Sequence, residues 1–447
     1  MPDTFFEYER KKARLESAWR DAPGQLQLAK STISNLFRYR PREAAPRRLA
    51  LGEFNRVIVV DQDARTADVE GLTTYETVVD CTLEHGFLPL VAPELKHITV
   101  GGATVGIGIE STCFRYGFVH DGLLEADVLL PGGRIVTASP SNEHADLFRA
   151  LPNSYGTLGY ILRARIALHP ARPYVHLHVE RFGAAAAYLD AMRRAAETPD
   201  IDFVEGLVFE DGRYLLMTGR FAERTPHVDD ILRRHVFYKL VQERDDVYLT
   251  TRDYIFRYDP EWFWNLPDGI AYRLFRRYAP ARYRNSSFYT RYVALKESLA
   301  RRIPRASEPD TEPLIQDWEV PWDRAEALLE FALREVRLDG RPWAAVPIKT
   351  PRSPTLYPIE PDTLYFNLGC YLQARRPPGR ERYYYTKIMD RQCFELGGLK
   401  MLYSSSFMTR EEFDARYNGA AYRELKAKYD PEGKARTLYE KVVLAPA

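Results

Sequence analysis

The 447-residue sequence predicts an α+β fold built in two parts. Three observations lead there. The first 170 residues mix short strands and helices with no long linker between them. From residue 171 to about 385, long segments alternate with period two: VHLHVERF (175–182), DFVEGLVFE (202–210), RYLLMTGRF (213–221) and DTLYFNLGCY (362–371). They read as a large antiparallel sheet, covered by helices such as DRAEALLEFALREV (323–336). The chain is also longer than one hydrophobic core fills. The expected division is 1–170, 171–385, and a segment 386–447 that returns to the first part.

The elements follow in order. Residues 5–20 form an amphipathic helix. RVIVV (56–60) and TADVE (66–70) are strands joined by the polar turn DQDAR. Thr73 and Glu76 have the spacing of a capping box for a helix ending near Gly86, and FLPLV (87–91) is a short buried run. ADVLLP (126–131) and IVTAS (135–139) make a hairpin that turns at Gly132 and Gly133. ADLFRAL (145–151) is a short helix, and SYGTLGYILRARIALHP (154–170) is a glycine-containing turn running into a strand. Near the end, LKMLYSSSF (399–407) reads as a strand and TREEFDARYN (409–418) as a capped helix.

Composition excludes several classes. Lys plus Arg number 63 and Asp plus Glu 62, a balance that argues against a general nucleic-acid binder. The four cysteines are scattered without a C-x-x-C pair, as expected of a chain in a reducing cytoplasm. No apolar run reaches the ~18–20 residues of a membrane span, and MPDTFFEYERKKARLES is too charged for a signal peptide. All nine histidines lie between His85 and His235, so the second half has neither a histidine-rich metal site nor a Ser-His-Asp triad; no metal is expected.

The segment ITVGGATVGIGIES (98–111) carries four glycines within eight residues, at 101, 102, 106 and 108. Glycine weakens regular structure, so such clustering marks a left-handed turn or a close approach of the backbone. A dinucleotide fingerprint is incomplete here, because Ser111 stands where the third glycine of G-x-G-x-x-G belongs. Two readings remain: a glycine-rich connection between strands, or bare backbone whose amides hold the phosphate or flavin oxygens of a cofactor.

The residues around it carry a resemblance. PELKHITVGGATVGIGIES (93–111), RYG (115–117) and DLFRALPNSYGTLGYI (146–161) resemble the FAD-binding (PCMH-type) domain of vanillyl-alcohol-oxidase-type flavoproteins. FVEGLVF (203–209), MTGRF (217–221), LYFNLGCY (364–371) and MLYSSSFMTREEF (401–413) extend it toward the 24-dehydrocholesterol reductase, or Diminuto-like, branch. KSTISNLFRYR (30–40) resembles a loop of a bacterial group that includes reductases of methylene-branched fatty acyl chains, as in tuberculostearic acid synthesis.

The resemblance implies one FAD, held by a two-part FAD-binding domain and capped by the antiparallel-sheet domain. Carried over by position, the FAD site comprises Pro93, Glu94, Thr99, Val100, Gly101, Gly102, Ala103, Thr104, Gly106, Gly108, Ile109, Glu110 and Ser111. Tyr116, Gly117, Ser154, Gly156, Thr157, Gly159 and Ile161 complete it, with Thr32, Ser34 and Asn35 as an opposing loop. Many such proteins tether FAD through a histidine in the N-terminal loop or the C-terminal part. Neither region has one here, so FAD is expected to be non-covalent. No second nucleotide-binding signature is present. The electron donor is therefore either NADPH visiting the flavin site or another protein.

Reducing an isolated C=C needs a proton donor beside the hydride source. Alternation in DFVEGLVFE puts Glu205 on a face with Phe203, Leu207 and Phe209, where burial would keep a carboxyl protonated. The alternative is that Glu205 sits at a strand edge or pairs with an arginine. Tyr365 and Asn367 share a polar face with Thr363 and Tyr371, opposite Leu364, Phe366 and Leu368; with Tyr403 they are the other catalytic candidates.

The segment 271–293 holds six arginines, seven aromatics and no acid. It reads as a solvated basic face or as a peripheral contact with a membrane surface, ahead of nucleic acid. The expected activity is FAD-dependent reduction of a double bond in a long apolar lipid, first a methylene-branched fatty acyl chain and second a sterol side chain. Two alternatives are the reverse reaction, as a desaturase or oxidase, and a flavin-fold scaffold on a membrane. The expected place is the cytoplasm, on the inner face of the membrane.

Overall fold

The computed structural model describes residues 3–19, 26–29, 47–265, 269–300 and 311–443. Segments Leu26–Ala29 (β1) and Arg47–Ala50 (β2) pair in parallel. The first large sheet uses Val57–Asp61 (β3), Thr66–Glu70 (β4), Phe87–Pro89 (β5), Leu123–Leu129 (β6), Ile135–Ala138 (β7) and Tyr160–Pro170 (β8). Its order is β3-β4-β8-β6-β7, with β5 paired to the far end of β8. Helix Asp3–Trp19 packs on it through Tyr8, whose hydroxyl donates to Asp127 at 2.7 Å.

The second sheet has eight strands, all antiparallel: Tyr174–Phe182 (β9), Phe203–Val208 (β10), Tyr214–Ala222 (β11), Asp246–Thr250 (β12), Thr311–Pro321 (β13), Trp343–Ile348 (β14), Tyr365–Arg375 (β15) and Leu399–Lys400 (β16). Its order is β12-β9-β11-β10-β14-β15-β13-β16. Helices Ala185–Glu197, Ala325–Glu335 and Tyr384–Glu395 cover one face. The fold is thus the α+β arrangement the sequence predicts: a first sheet carried by residues 57–170 with an eight-stranded antiparallel sheet beside it.

Several expectations shift. The helix after β4 spans Tyr75–Glu84 and is capped by Thr74, whose hydroxyl accepts from the Thr77 amide. Thr73 instead donates to the Arg56 carbonyl, and Glu76 pairs with Arg252, so the expected capping box is absent. Residues 399–407 yield only the two-residue β16. The strand expected at 362–371 runs from Tyr365 to Arg375, because it pairs over its whole length with β13. The capping box at Thr409 and Glu412 forms as read.

Candidate functional site

The glycine segment is a helix rather than a plain connection. Val100–Gly106 is helical, with Thr99 as cap accepting from the Gly102 amide at 3.3 Å, and Ile107 ends it in the left-handed region at φ 55°. Two glycines answer to the protein itself. A Cβ on Gly101 would lie 2.9 Å from the Gly71 carbonyl oxygen, and one on Gly108 would lie 2.7 Å from Val119. Gly106 differs. It is helical and half-buried, and its nearest neighbour, the Tyr155 ring, would be 3.6 Å from a Cβ. Alanine would fit there and favour the helix by roughly 1 kcal/mol. Nothing in the fold requires the bare backbone, which is what a ligand pressed against it would require.

The second glycine turn closes on the first. The Tyr155 amide donates to the Val105 carbonyl and its hydroxyl to the Gly106 carbonyl, at 3.0 and 3.1 Å. Asn153 and Tyr155 are both left-handed, at φ 62° and 49°, and Gly156 follows at 75°. Left-handed backbone away from glycine is strained and concentrates at functional positions. The Asn153 side-chain oxygen is buried without a hydrogen-bond partner. Ser154 and Thr157 bond backward to the carbonyls of Leu151 and Ser154, and Gly159 lies against Val128. The C-terminal helices reach this turn: Lys426 donates to the Thr157 carbonyl and Lys441 to that of Tyr155. Tyr116 stacks on His169, and Gly117 takes φ 74°. Thr32, Ser34 and Asn35 lie outside the described residues.

Glu94, Glu110 and Ser111 meet the cap sheet. Arg257 grips Glu205 with two bonds, Nε to Oε1 at 2.8 Å and Nη2 to Oε2 at 2.7 Å. The same guanidinium reaches Glu110 at 3.2 Å and Glu94 at 3.3 Å. Tyr254 donates to Ser111, which in turn donates to Glu110, and both Tyr254 and Tyr258 flank the guanidinium. Burial and the neighbouring carboxylates push Glu94 well up, while burial raises Glu205 against the opposing pull of Arg257. Glu205 does share its face with Phe203, as alternation requires, since Phe203 packs on Tyr254. It is not in an apolar setting, however; it is an ion-pair partner of an arginine 52 residues away.

Two other carboxylates fit the chemical role better. Asp317 and Glu319 lie two apart on β13, facing Gly369 and Asn367 of β15. Asn367 donates to Glu319 at 2.9 Å and also bonds Asp317, so one amide holds both groups. Tyr403 donates to Asp317 and Tyr357 to Glu319. No Lys or Arg pairs with either carboxylate among the described residues. Burial raises Asp317 to about 6; burial and the charge of Asp317 raise Glu319 to about 8. Such a pair titrates in two steps and holds one proton between them. Tyr365 sits at the strand entry, accepting from the Glu360 amide, and Tyr371 accepts from the Trp262 indole at 2.9 Å.

Register puts both clusters on one face of the sheet. Leu207 opposes Ala344, Ala344 opposes Gly369, and Gly369 opposes Asp317. Glu205, two residues from Leu207, therefore faces the same way as Asp317 and Glu319, roughly 14 Å off at three strand spacings. Between them Ala344 and Val346 are half-exposed while their neighbours are buried. This partly exposed strip of β14 lies between an arginine-centred cluster beside the glycine segment and a carboxyl cluster opposite, and is called the trough below. Asp317 and Glu319 had a sequence signal, two acids at i and i+2 in the apolar run PLIQDWEV. Arg257 had none.

Residues 48–139 match the family described as FAD binding domain. FAD is the cofactor, and the protein is an FAD-dependent oxidoreductase. Among curated proteins it is similar to the Delta(24)-sterol reductase of Homo sapiens, 27% identical over 410 residues that cover 87% of this chain and 76% of the relative. The Delta(24)-sterol reductase of Arabidopsis thaliana is 26% identical, with 88% and 75% covered. Cytokinin dehydrogenase 1 of Oryza sativa subsp. japonica is 33% identical over 166 residues, 35% of this chain and 31% of the relative. The long matches are to sterol reductases; the short one reflects a shared part.

Proposed function

We propose that this oxidoreductase reduces an isolated carbon–carbon double bond in an apolar lipid. The observation that carries the reading is the carboxyl pair of Asp317, partly exposed, and Glu319, fully buried, which has no cation partner among the described residues. Bound FAD, once reduced, supplies the hydride for one alkene carbon. The chain's own residues supply the rest. The glycine helix and the 153–159 turn hold the cofactor. Asp317 is half-exposed and delivers the proton to the other carbon; Glu319, fully buried behind it, keeps a proton in the pair at neutral pH. Tyr403 and Asn367 orient Asp317.

The long relatives favour a sterol side chain as substrate over the fatty acyl chain first expected. A methylene-branched acyl chain is the second reading, supported by KSTISNLFRYR at 30–40. The test is anaerobic: reduce the flavin, add each lipid, and follow flavin reoxidation with lipid mass analysis. A gain of two hydrogens with reoxidation supports reduction and identifies the lipid. Reoxidation by neither lipid, or loss of two hydrogens from a saturated lipid with oxidised flavin, overturns it.

A further inference from the structure

We infer that the outward face of helix Ile270–Tyr278, with the arginines beside it, docks on an anionic membrane surface. On this helix Tyr272, Phe275 and Arg276 face inward, toward Tyr289 and Glu261. The opposite arc carries Ile270, Leu274 and Tyr278, spaced i, i+4, i+8, with exposures of 78%, 53% and 72%. A helix that packs one apolar stripe inward has no internal use for a second stripe pointing out. Tyr292 and Leu295 on the next helix are also exposed.

Charge selects the partner. Two of the segment's six arginines serve the fold: Arg276 donates to the carbonyls of Ile231 and His235, and Arg284 to that of Leu232. The other four, Arg273, Arg277, Arg282 and Arg291, are exposed, and so are Arg233 and Arg234 on the turn that the buried pair clamps. From Gly269 to Lys296 there is no acidic residue. An apolar stripe edged by tyrosines and arginines matches the acyl boundary and the anionic headgroups of a bilayer. No described helix is long and apolar enough to cross a membrane, so contact here is peripheral.

The inner side of the same helix leads to the trough. Phe275 packs against the cluster of Trp262, Tyr289, Ile315 and Tyr371, which Tyr403 also joins, and Tyr403 bonds Asp317. A continuous set of packed aromatic side chains therefore links this helix to Tyr403, the partner of Asp317. The docking face goes beyond the proposed reaction and does not depend on it.

The test uses the full holoprotein and vesicles of saturated dimyristoyl lipids, which contain no double bond to reduce. Flotation with vesicles containing 30% phosphatidylglycerol should be at least ten-fold stronger than with phosphatidylcholine alone, and should weaken with salt. The combined change Ile270→Ser, Leu274→Ser and Tyr278→Ser should lower it at least ten-fold with flavin content unchanged. Arg277→Glu with Arg282→Glu should remove the preference for anionic lipid. Wild-type protein that does not float with anionic vesicles, or a triple variant that floats equally well, overturns the inference. So does sedimentation showing that the triple variant turns a dimer into a monomer, which would make the stripe a self-association face. Reductase activity is read separately by lipid mass, so the two proposals fail independently.

Discussion

The two walls of the trough bury carboxylates on the same sheet face and treat them in opposite ways. Around Arg257, one guanidinium gathers Glu94, Glu110 and Glu205 from both halves of the chain. Around Asp317 and Glu319 the described residues supply an amide and two phenols and no cation. At Glu205 the arginine pulls against the effect of burial, and the group serves structure. At Asp317 and Glu319 no cation opposes burial, and the proton they hold is available for chemistry. Burial alone, the property inferred for Glu205 from its neighbours, does not separate these fates; the countercharge does.

The contrast can be broken from either side. Arg257→Met should have the largest effect. It leaves Glu205 and Glu110 buried without a cation, and such losses reach about 3–5 kcal/mol. Denaturant unfolding should show that loss, or the protein should fail to accumulate. Asp317→Asn should leave stability within about 1 kcal/mol, because no ion pair is broken. It should slow flavin reoxidation by lipid roughly 10²–10⁴-fold while flavin reduction by the donor is unchanged. Glu205→Gln should behave like a weaker Arg257 variant, losing stability with little kinetic change. A selective loss of reoxidation there would return Glu205 to the mechanism and dissolve the contrast.

The pH dependence sharpens the comparison further. Glu319 is raised to about 8 in the folded chain from an ordinary value of 4.5, so the folded state binds the extra proton between those values. Its contribution to stability is present below 4.5 and is lost as pH rises through 8. Stability should therefore decline over that window. Glu319→Gln should flatten part of the decline, because Asp317, Glu261, Glu94 and Glu205 are also held up and contribute to it. Lipid-driven reoxidation should fall above pH 8 in the wild type, as the pair loses its last proton. The smallest effect belongs to Tyr403→Phe. Losing one orienting bond to Asp317 should slow reoxidation about 2–10-fold, the worth of one hydrogen bond.

How far the site could be read from residues alone follows the same physics. Strands β9, β10 and β11 were legible because alternation is a local property of the sequence. Helix 100–106 was hidden, because two of its first three residues are glycine and only the Thr99 cap announces it. Asp317 and Glu319 carry a legible pattern, two acids at i and i+2 in an apolar run, but nothing local distinguishes it from that of Glu205. Arg257 lies in a short irregular stretch, and its three partners are 52 to 163 residues away. Only the pairing of β10 beside the glycine segment, where the Val204 amide donates to the Ser111 carbonyl, brings them together.

The Arg257 cluster also governs how the molecule can move. Glu94 and Glu110 belong to the first part of the chain, Glu205 and Arg257 to the second. Sliding the seam by an ångström or two would strip the guanidinium of its partners before water could replace them, and partly satisfied buried charges are costly. The seam therefore acts as a latch with two settings, shut or fully hydrated, and not as a hinge that breathes.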